Sequence, residues 1–456
     1  MAMIRFHDAL RQAAQALVRL ALPAEPPVRL VRDIYGRLRF AVDCAQEDYP
    51  VPAREQLQAA QAALGAYATS NEVLFRDSFS FPEKFFDQQN WLRTMVPMGF
   101  SEDGEPLPSI QVLLLDRMVT GHDWLRPEHT QGKHPHRLVF FGLKGGVGRS
   151  TALCMVAWGL ARQGKRVLLV DFDLESPGLS GLILPAERVA EFGVMDWLVE
   201  DAVGQGDSVL SGLVSASPLG ETTQGAVRVA AAMGSQESDY LAKLARAYAD
   251  VPSEHGPLRL GQRLRRLVEA LEAREQPDVV LIDSRAGLHD LAAAAITGLA
   301  DTALLFATDS EQTWQGYRQL FSHWQRRLDV VCDVRERLAL VRALTPKSDR
   351  EAGVRRFQSK AYELFAETLY DAIPQGDADA DFEYFHPTET DEAAPHFPIL
   401  VDWDERFQEF DPGLRPEQGG ATHAQVDATF GALIQWVKRR IEGDEQRAGE
   451  GEHDHR

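Results

Sequence analysis

The sequence has 456 residues, of which 44% are hydrophobic and 25% are charged. This balance is that of an ordinary globular protein and excludes a disordered or fibrous chain, while the length favours two domains, one large and one small. With 68 acidic against 48 basic side chains, the formal charge is -20. Such a charge repels nucleic-acid phosphates and anionic lipid unless basic residues are concentrated locally. We therefore expect protein partners, with no strong nucleic-acid signal and no membrane binding.

The cysteines and the start of the chain indicate a compartment. Cys44, Cys154 and Cys332 lie far apart, without the CxxC spacing of a metal or disulfide site. The first 22 residues carry polar or charged side chains every few positions, unlike a signal peptide. No apolar run reaches the roughly 20 residues that a membrane-spanning helix requires. These features predict a cytoplasmic protein with reduced thiols.

Residues 1–130 predict a small α+β domain, to which the sequence assigns no role. Its predicted elements are a helix over 6–22, a hairpin over 28–42, a helix over 53–66 and strands at Val73–Phe79 and Ile110–Leu115. The composition then turns polar between Leu125 and Arg137, with two prolines and a glycine, which predicts a linker.

From residue 137 to about 440, short apolar runs alternate with helical segments, the pattern of a doubly wound, mostly parallel sheet in an α/β domain. Predicted strands lie at Leu138–Phe141, Val167–Val170, Ala226–Ala231, Val279–Ile282, Thr302–Ala307, Leu338–Leu344 and Ile399–Val401. Most are continuous apolar runs, as in strands covered on both faces. The polar stretch 443–456 predicts a disordered acidic tail.

A strand, a glycine-rich turn and a helix follow one another from 138 to 164. The turn contains three glycines, Gly145, Gly146 and Gly148. Without Cβ atoms, they let backbone N–H groups converge on phosphate oxygens, and the helix N-terminus adds a favourable dipole. Ser150 is placed to coordinate magnesium and Thr151 to bond the α-phosphate. The segment therefore predicts binding of a purine nucleoside triphosphate, ATP with Mg²⁺.

The loop resembles the deviant Walker A motif, xKGGxGK[ST], of the ParA and MinD family of ATPases, and the resemblance extends over roughly 137–440. It implies that Lys144 reaches across a homodimer, with ATP sandwiched at the interface, to the phosphates bound by the other chain. The whole loop to Thr151, Val147 included, is expected to contact the nucleotide. A chance glycine-rich turn is the alternative.

The acidic motifs that follow are similar to those of the same family. Asp171 and Asp173 come directly after a predicted strand, like the switch I segment, where carboxylates lie beside the phosphate loop. We expect Asp173 to orient the attacking water and Asp171 to support the magnesium site; two acids that cap a loop are the alternative. Asp283 resembles the Walker B carboxylate that binds magnesium through water. Gly287 would then donate its N–H to the γ-phosphate.

Base recognition and the last helix leave more than one interpretation open. Thr345 and Pro346, and the segment Phe397–Trp403 with Pro398, match the positions where relatives contact the purine, but ordinary strand ends fit equally well. Over 426–441 an amphipathic helix is predicted. MinD ends in a similar membrane-seeking helix, yet core packing explains the same spacing and is favoured.

Two positions depart from the family pattern. Arg149 stands where the family has a second lysine, and Arg285 where relatives commonly have proline. Arginine keeps the charge and bonds phosphate bidentately, but its planar fork does not fit the site of a point charge. We expect nucleotide binding to persist and hydrolysis to be slow or lost.

Together these features predict a slowly hydrolysing ATPase that acts as a dimerising switch and recruits an unidentified protein partner. Lys144 and Asp173 are its expected catalytic residues. The alternative is a nucleotide-sensing scaffold that binds ATP without turnover; DNA partitioning and membrane positioning fit the sequence less well. Variant ParA-like proteins occur in bacterial conflict loci, so the resemblance extends to a regulatory or phage-defence role.

Overall fold

The computed structural model describes residues 4–70, 72–101, 103–126, 134–235, 239–253, 256–373, 384–408, 410–411, 414 and 420–453. The chain divides into two compact units, the first made of Met1–His122 with His323–Leu328 and the second of Asp123–Ser322 with Asp329–Arg456. The predicted linker over 125–137 falls largely on 127–133, outside the described residues.

The helices are α1 (Phe6–Arg19), α2 (Val51–Ala62), α3 (Pro82–Phe85), α4 (Arg149–Arg162), α5 (Leu179–Ile183), α6 (Val194–Ala202), α7 (Gly206–Val209), α8 (Tyr240–Ala247), α9 (Leu260–Glu275), α10 (Asp290–Ala293), α11 (Glu311–Trp324), α12 (Leu328–Val334), α13 (Arg350–Thr368) and α14 (His423–His453). The strands are β1 (Val28–Arg32), β2 (Leu38–Val42), β3 (Leu92–Val96), β4 (Ile110–Asp116), β5 (His136–Gly142), β6 (Arg166–Asp171), β7 (Val214–Ala216), β8 (Ala226–Ala230), β9 (Val279–Asp283), β10 (Thr302–Ala307), β11 (Leu338–Thr345) and β12 (Ile399–Asp402).

The first unit is the predicted α+β fold. Among the described residues, its sheet has the order β2-β1-β4-β3, with β1 and β4 parallel and the outer pairs antiparallel. The sheet and the apolar faces of α1 and α2 share one core. The predicted strand at Val73–Phe79 is wrong: only Leu74 bridges to Ala41, and Arg76–Ser78 forms a single turn. There the Phe75 N–H donates to the Ser78 hydroxyl at 3.0 Å, a local bond that competes with strand pairing.

The second unit contains the predicted doubly wound sheet. Its described strands have the order β12-β11-β10-β5-β9-β6-β8-β7, and every pair is parallel except β7 with β8. β9 and β10 are buried along their whole length, as expected of strands covered on both faces. From β5 the chain crosses to β6 on one side and later places β10 on the other. The carboxyl end of β5 is therefore a topological switch point, where such sheets bind ligands.

The last helix packs into the core of the second unit. A Cβ atom on Gly159 of α4 would lie 2.8 Å from Cγ2 of Ile434, so this glycine permits the close approach of α4 and α14. The apolar face of α14 is buried with that of α4, which confirms core packing for 426–441. No described helix has both the length and the apolarity to cross a bilayer. The helix continues to His453, within the range 443–456 for which the sequence predicts a disordered tail.

Candidate nucleotide-binding site

The ends of three neighbouring strands bring the predicted motifs together. β9 pairs with β5 on one side and with β6 on the other, and Asp171 is the register partner of Asp283. Both carboxylates therefore lie at the same level of the sheet, beside the loop that leaves β5 at Gly142. Asp171 and Asp283 are more than 100 residues apart in the sequence, and the parallel pairing of β6 with β9 brings them together.

The glycine-rich turn has the backbone that its residues predict. Gly146 and Gly148 each adopt φ +74°, a left-handed conformation that side chains with a Cβ rarely take. Gly148 is also the residue that precedes the first turn of α4. A Cβ added at Gly145 or Gly146 would meet nothing within 4 Å, so the approach to this backbone is open. An open turn at the start of a 14-residue helix is a suitable anion site.

The predicted loop side chains divide into buried and accessible ones. Val147 is buried, and its Cγ2 atom lies 3.4 Å from the position of a Cβ on Gly142, so it anchors the loop against its strand. Ser150 and Thr151 are half-buried in the first turn of α4, and the Ser150 hydroxyl acts to lower the pKa of the nearby Asp283. Lys144 is half-buried, and no described residue forms an ion pair with its ammonium group.

Arg149 is buried and bonds two carboxylates. Its Nε donates to Oδ1 of Asp283 at 2.7 Å, and Nη2 donates to Oδ2 of Asp173 at 3.3 Å. The sequence predicted that the Arg149 guanidinium bonds the phosphates of the nucleotide. In the structure it links the two acidic motifs, because a buried guanidinium requires anionic partners.

The buried carboxylates carry more negative charge than this guanidinium balances. Burial raises the pKa of Asp171 well above its usual range, and the neighbouring Asp283 raises it further. Burial also raises the pKa of Asp283, although Arg149 and the Ser150 hydroxyl act in the opposite direction. Burial tends to lower the pKa of Arg149, but the charge of Asp283 outweighs it and the pKa is raised. The site therefore favours an additional cation.

Asp171 and Asp173 have different partners although one residue separates them. Asp171 accepts the backbone N–H groups of Asp173 at 2.9 Å and of Leu179 at 3.3 Å, so it shapes the loop between β6 and α5. Asp173 accepts from Arg149 at Oδ2 and from Arg285 Nη1 at Oδ1, at 3.4 Å. Asp171 is thus a structural support, and Asp173 faces the charged groups.

A cluster that sequence reasoning missed surrounds Glu175. Arg285 Nη2 lies 2.7 Å from Oε2 of Glu175, while His289 Nε2 lies 3.0 Å and the Tyr248 hydroxyl 3.1 Å from Oε1. The departure from proline at Arg285 was a signal for part of this cluster. Tyr248 follows α8, and no motif in the sequence indicated it.

Gly287 lies next to the phosphate loop but is engaged elsewhere. With φ +88°, it donates its N–H to the carbonyl of Gly142 at 3.0 Å. A bond to the γ-phosphate would require this contact to break. The predicted role therefore implies a movement of the segment after β9.

A cavity of about 740 Å³ opens beside the loop. Its described lining residues are Leu344, Pro346, Lys347, Ser348, Trp403, Asp404, Glu405 and Arg406. Leu344 Cδ2 lies 3.4 Å from the position of a Cβ on Gly148, which places the cavity next to the turn. Pro398 is buried before β12 and is not among these residues. Trp403, the last residue of the segment 397–403 considered for base contact, does line the cavity.

Comparison with known proteins gives matches to nucleotide-binding ATPases. A family model described as the CobQ/CobB/MinD/ParA nucleotide binding domain matches residues 138–352. The chromosome-partitioning ATPase Soj of Thermus thermophilus is 50% identical over 52 residues, which are 11% of this chain and 21% of Soj. The match thus spans about a fifth of that relative.

Several solved structures are similar over about two thirds of the chain. pNOB8 ParA gives a TM-score of 0.41 at 17% identity and covers 68% of this chain and 99% of its own. An ATP complex of Cyanothece McdA gives 0.39 at 16% identity, over 68% and 98%. A plasmid partition protein from Borrelia burgdorferi gives 0.37 at 14% identity, over 68% and 100%.

Proposed function

We propose that this chain is an ATP-dependent switch, since residues 138–352 match the model of the CobQ/CobB/MinD/ParA nucleotide binding domain. Two copies enclose ATP between their phosphate loops, and the ATP-bound face recruits another protein. A bacterial regulatory or phage-defence system is the setting that fits such a switch. Hydrolysis is slow, and it returns the dimer to monomers.

The observation that carries the proposal is the convergence of an open glycine turn with surplus buried carboxylates. The turn offers backbone N–H groups at the start of α4, and Asp171 and Asp283 lie beside it in register. Amides at a helix N-terminus bind phosphate, and uncompensated carboxylates favour a divalent cation. A triphosphate with its metal ion satisfies both groups at once.

The residues present fit magnesium. Ser150 at the start of α4 and Asp283 at the end of β9 would hold it, since the hydroxyl lies near enough to act on the pKa of that carboxyl, and Mg²⁺ uses few protein ligands when it is bound with phosphates. When bound, the ion neutralises charge on the phosphates. Asp173 would orient the attacking water once its bonds to Arg149 and Arg285 are released.

The cavity beside the loop is suited to the base. Trp403 is partly exposed and offers an aromatic face, and Pro346 lines the same cavity. A planar base stacks favourably on such surfaces. We expect titration with ATP to quench tryptophan fluorescence, and Trp403→Leu to remove most of that change.

Lys144 supports the dimeric form. Its ammonium group has no ion-pair partner among the described residues, although it lies in the phosphate loop itself. A lysine placed in this way can serve the nucleotide of the other chain. Light scattering with and without a non-hydrolysable ATP analogue tests this directly. The mass should double when the analogue binds, and a constant mass would refute the ATP-bound dimer.

A second candidate is a nucleotide-sensing scaffold that does not turn ATP over. It is favoured by Arg149, which bonds both the water-orienting Asp173 and the metal-binding Asp283. Phosphate release separates the two functions. For the switch, we expect measurable release that Asp173→Ala lowers at least ~100-fold while ATP affinity stays within ~3-fold. Tight binding without release from the unaltered protein would favour the scaffold.

A further inference from the structure

Each carboxylate oxygen of Asp173 accepts a hydrogen bond from a different arginine. Arg149 of α4 donates to Oδ2 at 3.3 Å, and Arg285 of the segment after β9 donates to Oδ1 at 3.4 Å. Asp173 is nine-tenths buried, so these arginines are its principal partners. A carboxylate that orients water must direct a free lone pair at that water, and these two bonds take one lone pair on each oxygen and fix the direction of the others.

Arg285 is in turn shared between two acids. Its Nη2 lies 2.7 Å from Oε2 of Glu175, much closer than its contact with Asp173. Glu175 is fixed from the other side by His289 Nε2 at 3.0 Å and by the Tyr248 hydroxyl at 3.1 Å. Glu175 therefore competes with Asp173 for one guanidinium.

We propose that Arg285 is a positioning residue that holds Asp173 away from the attacking water and thereby limits the rate of ATP hydrolysis. Glu175 moderates this restraint because it draws Arg285 toward itself. The inference rests on the proposed function, since it concerns the hydrolysis step of the same site. It assigns a task to Arg285, whose two terminal guanidinium nitrogens contact two different acids.

The opposite effects of two substitutions distinguish this role from a structural one. Arg285→Ala frees Oδ1 of Asp173, so phosphate release at saturating ATP should rise roughly tenfold, the effect of removing one charge-assisted bond. Glu175→Gln leaves Arg285 to Asp173 alone, so release should fall about 2-fold to 3-fold. If the cluster served only to stabilise the fold, both variants would change the rate in the same direction.

The control variants test charge and general surface effects. Arg285→Lys keeps the charge but has a single nitrogen in place of the two that contact Asp173 and Glu175. Its rate of phosphate release should therefore lie between those of Arg285→Ala and the unaltered protein. Arg318→Ala removes an arginine that pairs with Glu367 on the exposed surface of the same unit, and it should leave the rate unchanged. For each protein we would measure the kcat and KM of phosphate release, ATP affinity by calorimetry, and the melting temperature.

The measurements separate failure of this inference from failure of the proposed function. A rise in kcat with KM and ATP affinity within ~3-fold for Arg285→Ala supports the positioning role. Unchanged or lower kcat in Arg285→Ala, with ATP still bound, overturns it and leaves the switch intact. If the unaltered protein binds no ATP, the proposed function itself fails.

Discussion

Buried arginines occur in both units, but their charges are balanced in different ways. In the first unit Arg32 forms a two-pronged pair with Asp116. At the glycine-rich turn, Arg149 bonds two carboxylates, and the pKa values of Asp171 and Asp283 are raised by burial and by neighbouring carboxylates. Balanced pairs stabilise a fold. A buried surplus of one charge indicates a site that is completed by a ligand.

The second unit also contains a balanced pair, which provides the strongest test of this comparison. Arg137 donates to Glu272 through Nε and Nη2, both at 2.7 Å, and both side chains are buried. Because arginine cannot lose its proton, Glu272→Ala should cost about 3–5 kcal/mol in the free energy of unfolding. Urea denaturation measures this, with the exposed pair of Arg318 and Glu367 as control, where Glu367→Ala should cost about 1 kcal/mol or less. Equal losses at the two sites would contradict the comparison.

Removal of Arg149 should cost less, although it is equally buried. Arg149→Ala leaves Asp283 and Asp173 without their guanidinium, but carboxylates can take up protons where arginine cannot release them. We expect a loss of about 1–3 kcal/mol at pH 7. Magnesium chloride without nucleotide should raise the melting temperature of this variant more than that of the unaltered protein. An identical response to magnesium would show that the guanidinium does not occupy the place of the cation.

The smallest effect concerns pH. The pKa of Asp171 is higher in the folded protein than in the unfolded chain, where it is about 4. As the pH rises through these two pKa values, the ionisation of Asp171 therefore lowers the free energy of unfolding. Asp171→Asn removes that contribution. The stability of the variant relative to the unaltered protein should therefore increase from pH 4 to pH 8, as measured by urea denaturation at several pH values.

Asp278 provides the matched control for that titration. Burial tends to raise its pKa, but hydrogen bonds from the backbone and side chain of Arg166 lower it overall. Its stabilising contribution is thus lost as pH falls, so the relative stability of Asp278→Asn should decrease as pH rises from 2 to 5. A pH trend of the same sign in both variants would contradict the assignment of charge surplus to the phosphate loop.

Local sequence patterns predicted much of the fold and the loop. Continuous apolar runs identified the parallel strands, and the glycines identified the turn whose φ angles require them. The half-buried strand Leu92–Val96 was missed because its mixture of polar and apolar residues resembles that of a loop. Of the residues considered for the base, Pro346 and Trp403 line the cavity beside the loop and Pro398 does not, because Pro398 lies before the short strand β12 and Trp403 directly after it.

The sequence by itself predicted the family resemblance, the glycine-rich turn and the acids that end β6 and β9, because strand, turn and helix preferences act over a few residues. Only the tertiary structure decided where Arg149 and Arg285 point. Their carboxylate partners lie 24 to 134 residues away along the chain, and the choice between phosphate and carboxylate depends on charges assembled by the sheet. Burial removes the water that would otherwise screen those charges, so the fold sets the electrostatics of the loop.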